Sequence, residues 1–219
     1  MLVCNDSIVS ELVKSRKLTS RKRKFRLKKP PRPRFPKPIE REYLKDLLEI
    51  IRFMRELIND MVLPSVDNLL STAKSSRPDS AHIDGFKDDI RQLMKAVTLG
   101  FFRRYQDRDL EAIASRVGAK VDIHSAAELD KALLTVLNVQ PFRHEPWLKE
   151  HMEGFIHTNV KLIKSVPHRY FNEIEDIVMR GVTRGTAAAT IRGEITERWG
   201  VSKSRAKLIV RDQVASFNG

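Results

Sequence analysis

Apolar residues recur along most of this chain at helical period. From Glu40 they fall at Leu44, Leu47, Leu48, Ile51, Met54, Leu57, Ile58, Met61 and Val62, three and four apart, with charges filling the other positions. That spacing predicts a long amphipathic helix, which Pro64 ends or kinks. Four serines and Pro78 between Ser71 and Ser80 predict an exposed loop. A second helix is expected over 83–105, with Phe86, Ile90, Leu93, Met94, Val97 and Phe101 on one face. Leu110, Ile113, Ala114 and Val117 predict a third, short helix that Gly118 closes. Ala119 to Ile123 is the one stretch with any strand character.

The second half repeats the pattern. Ser125-Ala126-Ala127-Glu128 has the form of a capping box, so a helix is expected from there to about Asn138. Pro141 and Pro146 bracket a break. Trp147 to Ser165 reads as a helix that Pro167 punctuates, and Tyr170 to Arg180 as another stopped by Gly181. A closing pair, Thr186–Trp199 and Lys203–Phe217, is joined at Gly200-Val201-Ser202. With no convincing alternation of period two, the expected class is all-α, an elongated multi-helix assembly. Three regions follow: an arm over 1–39, a helical domain over 40–140 and a second over 147–219.

Charge changes the picture at the N-terminus. The chain has 219 residues, 41 Lys and Arg against 28 Asp and Glu, and a net charge of +13. Thirteen cations lie between Lys14 and Lys37 with no acid among them: Lys14, Arg16, Lys17, Arg21, Lys22, Arg23, Lys24, Arg26, Lys28, Lys29, Arg32, Arg34 and Lys37. The remainder is therefore neutral, 28 cations against 28 acids. Five of the ten prolines fall within 28–38. Proline fixes φ and removes backbone donors, so this stretch is extended and cannot build a core. A short helix, with Ile8, Val9, Leu12 and Val13 on one stripe, precedes it. Such an arm gains free energy by releasing counterions when laid on phosphates, and Phe25 and Phe35 can stack on bases. A solvated tail, a proline-rich ligand or a localisation signal are the other uses of the same composition.

Catalytic chemistry is not signalled. The chain has no glycine-rich phosphate loop, no His-Glu-x-x-His and no nucleophile elbow. His144, His151 and His157 stand seven and six apart, which does not bring three imidazoles to one metal, and Glu194 and Glu197 read as a solvated face. A lone Cys4 excludes an internal disulfide. No catalytic residue, metal or cofactor is expected, nor a signal peptide or membrane span, and the chain reads as intracellular. The closing helix pair is similar to a helix-turn-helix over 186–217, with Lys203, Arg205, Lys207 and Arg211 on the recognition helix. A DNA-binding protein is thus the alternative reading.

From Asn159-Val160-Lys161-Leu162-Ile163-Lys164-Ser165-Val166-Pro167, through Gly181 and Gly185-Thr186 with Ala188 and Ile191, to Arg205-Ala206-Lys207 and Arg211-Asp212-Gln213, the order of residues resembles the Mu F-like minor head proteins of tailed bacteriophages, the head morphogenesis family. The resemblance covers about residues 147–219. That family usually continues into a further segment with a Tyr-Trp strand, an Asp-x-Arg motif and a histidine, which this sequence does not contain. The resemblance implies a virion protein made in the host cytoplasm and packaged inside the head near the portal vertex. Its implied partners are the portal protein, a major capsid or scaffolding protein, and packaged DNA through the arm. Its implied role is in head assembly and in genome packaging or ejection.

Overall fold

The structure, a computed structural model, describes residues 29–75, 80–137 and 147–218. The expected N-terminal helix, the proline-bracketed break at 141–146 and the arm cations before Lys29 lie outside them. The described residues are all-α, with no strand among them. An extended segment, 29–36, leads into α1 (Lys37–Leu57), with Pro38 in the first turn, where a missing N–H costs nothing, and Glu40 near the positive end of the helix dipole.

Pro64 does not end the first rod. One π-helical turn, Ile58–Val62, lets the backbone pass, the Leu63 N–H bonding to the Ile58 carbonyl, and α2 (Leu63–Ser75) continues. Residues 71–75, expected within a loop, are helical instead, and 76–79 lie outside the described residues. After α3 (Ser80–Arg104) comes α4 (Asp107–Leu137), 31 residues in one piece. The sequence predicts here a helix ending at Gly118, a strand-like stretch and a helix capped at Ser125. Gly118 is a close-approach position instead. A Cβ there would sit 2.6 Å from Met152 Sδ and 3.0 Å from Phe155 Cδ1, so glycine is what lets the next helix cross.

That helix, α5 (Trp147–Arg184), runs straight through Pro167. An interior proline costs about 3 kcal/mol, and the buried Ile163, Val166, Tyr170 and Phe171 on either side offset it. Gly181 does not stop α5 either. The stop is Gly185, at φ +64°, with Thr186 N–H bonded to the Gly181 carbonyl at 2.8 Å and Gly185 N–H to Val182 at 3.2 Å. This double bond pattern requires the left-handed conformation that glycine adopts without strain. Last comes α6 (Ala188–Asn218), 31 continuous residues.

A single hydrophobic cluster joins these rods, from Tyr43 in α1 through Val97 and Phe101 in α3 and Val117 in α4 to Ile174 in α5 and Val214 in α6. Phe101 packs against Tyr105, Phe102 and Phe171 at ring separations of 5.4, 5.1 and 5.7 Å. Ion pairs rim it. Arg116 reaches Asp46 at 2.5 Å and Lys120 reaches Glu42 at 2.5 Å, tying α4 to α1, while Lys164 pairs with Asp107 and Arg192 with Asp67.

Candidate functional site

The residues that carry the family resemblance all fall on one antiparallel hairpin, α5–α6, and Gly185 makes its turn. Three contacts set its register. Nearest the turn, Gly181 faces Ile191, and a Cβ on Gly181 would lie 2.4 Å from Ile191 Cδ1. Further along, Arg205 Nη2 donates to Ser165 Oγ at 3.3 Å. Furthest out, Asn159 Nδ2 donates to Gln213 Oε1 at 3.0 Å. Ala206 is buried between the helices, whereas Arg211 and Asp212 face solvent.

Asn159 is the centre of this arrangement. It is fully buried, which for an amide demands that its polar atoms be satisfied. Its Nδ2 also donates to the Phe155 carbonyl at 2.9 Å, and its Oδ1 accepts from Tyr43 Oη at 2.9 Å. The network thus ties three helices, α1, α5 and α6, through side chains 116 and 54 positions apart. Burial and the neighbouring Asp46 raise the Tyr43 hydroxyl well above its ordinary pKa, so it remains a donor at any physiological pH. Sequence reasoning missed Tyr43, whose place in the helical stripe carries no signal of a hydrogen bond. Asn159 was visible only as part of the family pattern.

The turn expected at Gly200-Val201-Ser202 is absent. These residues lie inside α6, and Ser202, expected as a cap, bonds back to the Arg198 carbonyl at 3.2 Å. Without a turn, 186–217 is not a helix-turn-helix. Arg205 is engaged with Ser165 rather than presented as a reading side chain, while Lys207 and Arg211 are exposed along one continuous helix.

Of the arm cations, Lys29, Arg32, Arg34 and Lys37 lie among the described residues, and all four are exposed with no ion pair there. Arg16, Lys17, Arg21, Lys22, Arg23, Lys24, Arg26 and Lys28 lie outside them. The root of the arm is clipped to α4 by its backbone. Arg34 N–H donates to Glu128 Oε2 at 3.3 Å, and His124 Nε2 donates to the Arg34 carbonyl at 2.8 Å. Lys131, 2.6 Å from the Glu128 carboxylate, and the Arg34 amide together hold that carboxyl below the usual range. Glu128 thus serves as an arm clip and not as the capping-box member expected. Only backbone atoms of Arg34 are held, and its guanidinium has no partner among the described residues.

Apolar surface is also on display. Ile123 is 69% exposed, with Leu129 and Leu134 further along α4, and Leu208 on α6 is 62% exposed. An open cleft of about 440 Å³ between α1 and α6 is lined by Glu40, Leu44, Lys207, Leu208 and Arg211, among others. Among the described residues no three His, Cys, Asp or Glu come together as a metal-holding group, and no helix is long and apolar enough to cross a membrane.

Comparison with known proteins adds little to this geometry. No family model matches the chain, and no solved structure matches it. A Haemophilus influenzae protein described as uncharacterized is 26% identical over 111 residues, covering 49% of this chain and 25% of the relative. The chain thus spans about a quarter of the length of the curated relative it is similar to.

Proposed function

We propose that the protein is a minor head component of a tailed phage, bound to the portal inside the capsid. In this reading the helical body makes protein contacts, with the portal and with a capsid or scaffolding protein. The basic arm reaches packaged DNA or an acidic portal surface during head assembly and genome packaging or ejection. The observation that carries the reading is the α5–α6 hairpin. Residues whose order resembles the head morphogenesis family make one registered unit, with Asn159 and Gln213 bonded and Gly185 at the turn. Two further observations support the division of labour. The described arm cations are exposed and unpaired beyond a backbone clip, which suits counterion release on a polyanion. The exposed leucines and isoleucine on α4 and α6 suit protein contact.

The decisive experiment is fractionation of purified virions. The chain is expected in particles that carry portal and capsid, at few copies, and its absence from such particles rejects the proposal. For the arm, removing residues 14–38 is expected to abolish salt-sensitive DNA binding. Binding that persists with base-pair specificity after that removal would overturn the arm's role and restore the DNA-reading alternative.

A further inference from the structure

The outer side of α6 carries two rows of different chemistry. Because α6 is one continuous helix, residues seven apart return to within about 20° of one another, and Val201, Leu208 and Ala215 stand on one line. All three are exposed, Val201 at 41% and Leu208 at 62%. Lys203, Lys207 and Arg211 follow four apart on the flank nearer α1, over about 12 Å. The two helices run antiparallel there, since Tyr43 reaches the level of Gln213 through Asn159 while Arg55 meets Trp199. Lys203 Nζ lies 4.4 Å from the Trp199 ring centroid, and Lys207 and Arg211 line the open cleft with Leu44, Leu208 and Glu40.

Neither row is satisfied within the described chain. None of the three cations makes an ion pair among the described residues, and the cleft sets one acid, Glu40, against two cations. By the same helical period, the acids of α6 that approach the stripe are Glu197, one turn before Val201, and Asp212, on the flank away from α1.

Charge and apolar period together select the occupant. A nucleic-acid backbone would answer the cations but leave Val201 and Leu208 without apolar cover, because phosphates offer none. The arm of this chain brings only more cations. A partner helix answers both rows at once. Apolar residues three and four apart on it cover the stripe, and carboxylates along its edge face the cations, as flanking charges do between paired helices.

We infer that the outer face of α6, from Val201 to Ala215, binds an acidic amphipathic helix of another protein. Leu208 and Leu44 form the apolar floor, and Lys207 and Arg211 the charged edge. The inference rests on the body's proposed role in protein contact and names the surface used and the kind of partner it fits.

Cys4 is the only cysteine, so Ser204→Cys with Cys4→Ser places one environment-sensitive dye at the cleft of the full chain, where it reads binding there and not on the arm. The probe is a synthetic stapled helix with leucines at heptad spacing and glutamates along both edges; its counterpart has lysine at every glutamate. A saturable emission shift with the glutamate helix is expected, weakened about tenfold by Lys207→Glu with Arg211→Glu and by Leu208→Ala, and none with the lysine helix. Leu129→Ala, on α4, should leave it unaltered. No saturable shift, an equal response to the lysine helix, or an affinity that survives both α6 substitutions overturns the inference. So does tighter binding of a DNA duplex at the dye, or a dimer in sedimentation that Leu208→Ala disperses. The substituted α6 positions are exposed, so the fold itself is not at stake. Failure on these terms leaves the portal reading standing, since virion fractionation tests that reading whichever face makes the contact.

Discussion

Replacing Asn159 with alanine tests whether the three-helix network contributes to stability or merely decorates the core. The change removes an acceptor for Tyr43 Oη and a donor for Gln213 Oε1 and the Phe155 carbonyl. Tyr43 is 0% exposed, so its hydroxyl loses its acceptor with no water to replace it, a cost of about 1–3 kcal/mol. Truncation also leaves a void of roughly 30 Å³, worth about 0.7 kcal/mol at roughly 24 cal/mol per Å³. Together these predict a loss of about 2–4 kcal/mol. Tyr43→Phe alone strands Asn159 Oδ1 and should cost about 1–2 kcal/mol. The two positions share one bond, so the double variant should fall short of the summed single effects by about 1–2 kcal/mol. Urea unfolding by circular dichroism measures each midpoint, and an unchanged slope confirms that only stability moved. If the two effects add to within about 0.5 kcal/mol, the bond carries no coupling and the reasoning fails.

Three other outcomes follow from particular contacts. Gly181→Ala drives a methyl into Ile191 Cδ1 and Cγ1, at 2.4 and 2.6 Å, and should destabilise by about 1–3 kcal/mol; Ile191→Ala, which removes both atoms, should make the added methyl nearly harmless in thermal melts. Glu42 is held below its ordinary value of 4.5, first by its bond from Lys120. Its stabilisation is therefore present above about pH 4.5 and lost as pH falls through the lower folded value. Glu42→Gln should flatten the acid limb of the stability profile, and an unchanged limb would refute the pairing. His124→Ala with Glu128→Ala releases both backbone contacts of Arg34, so trypsin should cut after Arg34 several-fold faster while the melting of the body changes little.

Why the sequence misplaced so many helix ends is itself informative. Pro64, Gly118, Pro167, Gly181 and Gly200 all read as stops, and all lie in or beside helices that continue. A glycine costs a helix about 1 kcal/mol and a proline about 3, penalties that a window of sequence can see. What it cannot see is the burial on both sides, where Ile163, Val166, Tyr170 and Phe171 around Pro167 pack against other helices. Nor does sequence separate a glycine that ends a helix from one that lets a neighbour approach. Gly185 has the positive φ of an end, while Gly118 and Gly181 have Met152, Phe155 and Ile191 pressed against them. The candidate site was legible to the same degree. Asn159, Gly185 and Gln213 stood out as a pattern, yet Tyr43, His124 and Glu128 acquire their roles only from partners far along the chain.

Sequence by itself determined the all-α class, because apolar spacing of three and four needs no knowledge of partners. It also determined that the positive charge belongs to one arm and that the body is neutral. Tertiary structure alone decided the continuity of α4, α5 and α6, the register of the hairpin, and the bond between Tyr43 and Asn159. The reason is that local propensities amount to about 1 kcal/mol per residue, whereas burial against a distant helix contributes about 1.5–3 kcal/mol for each large apolar side chain, and that term depends on neighbours that lie far away in sequence.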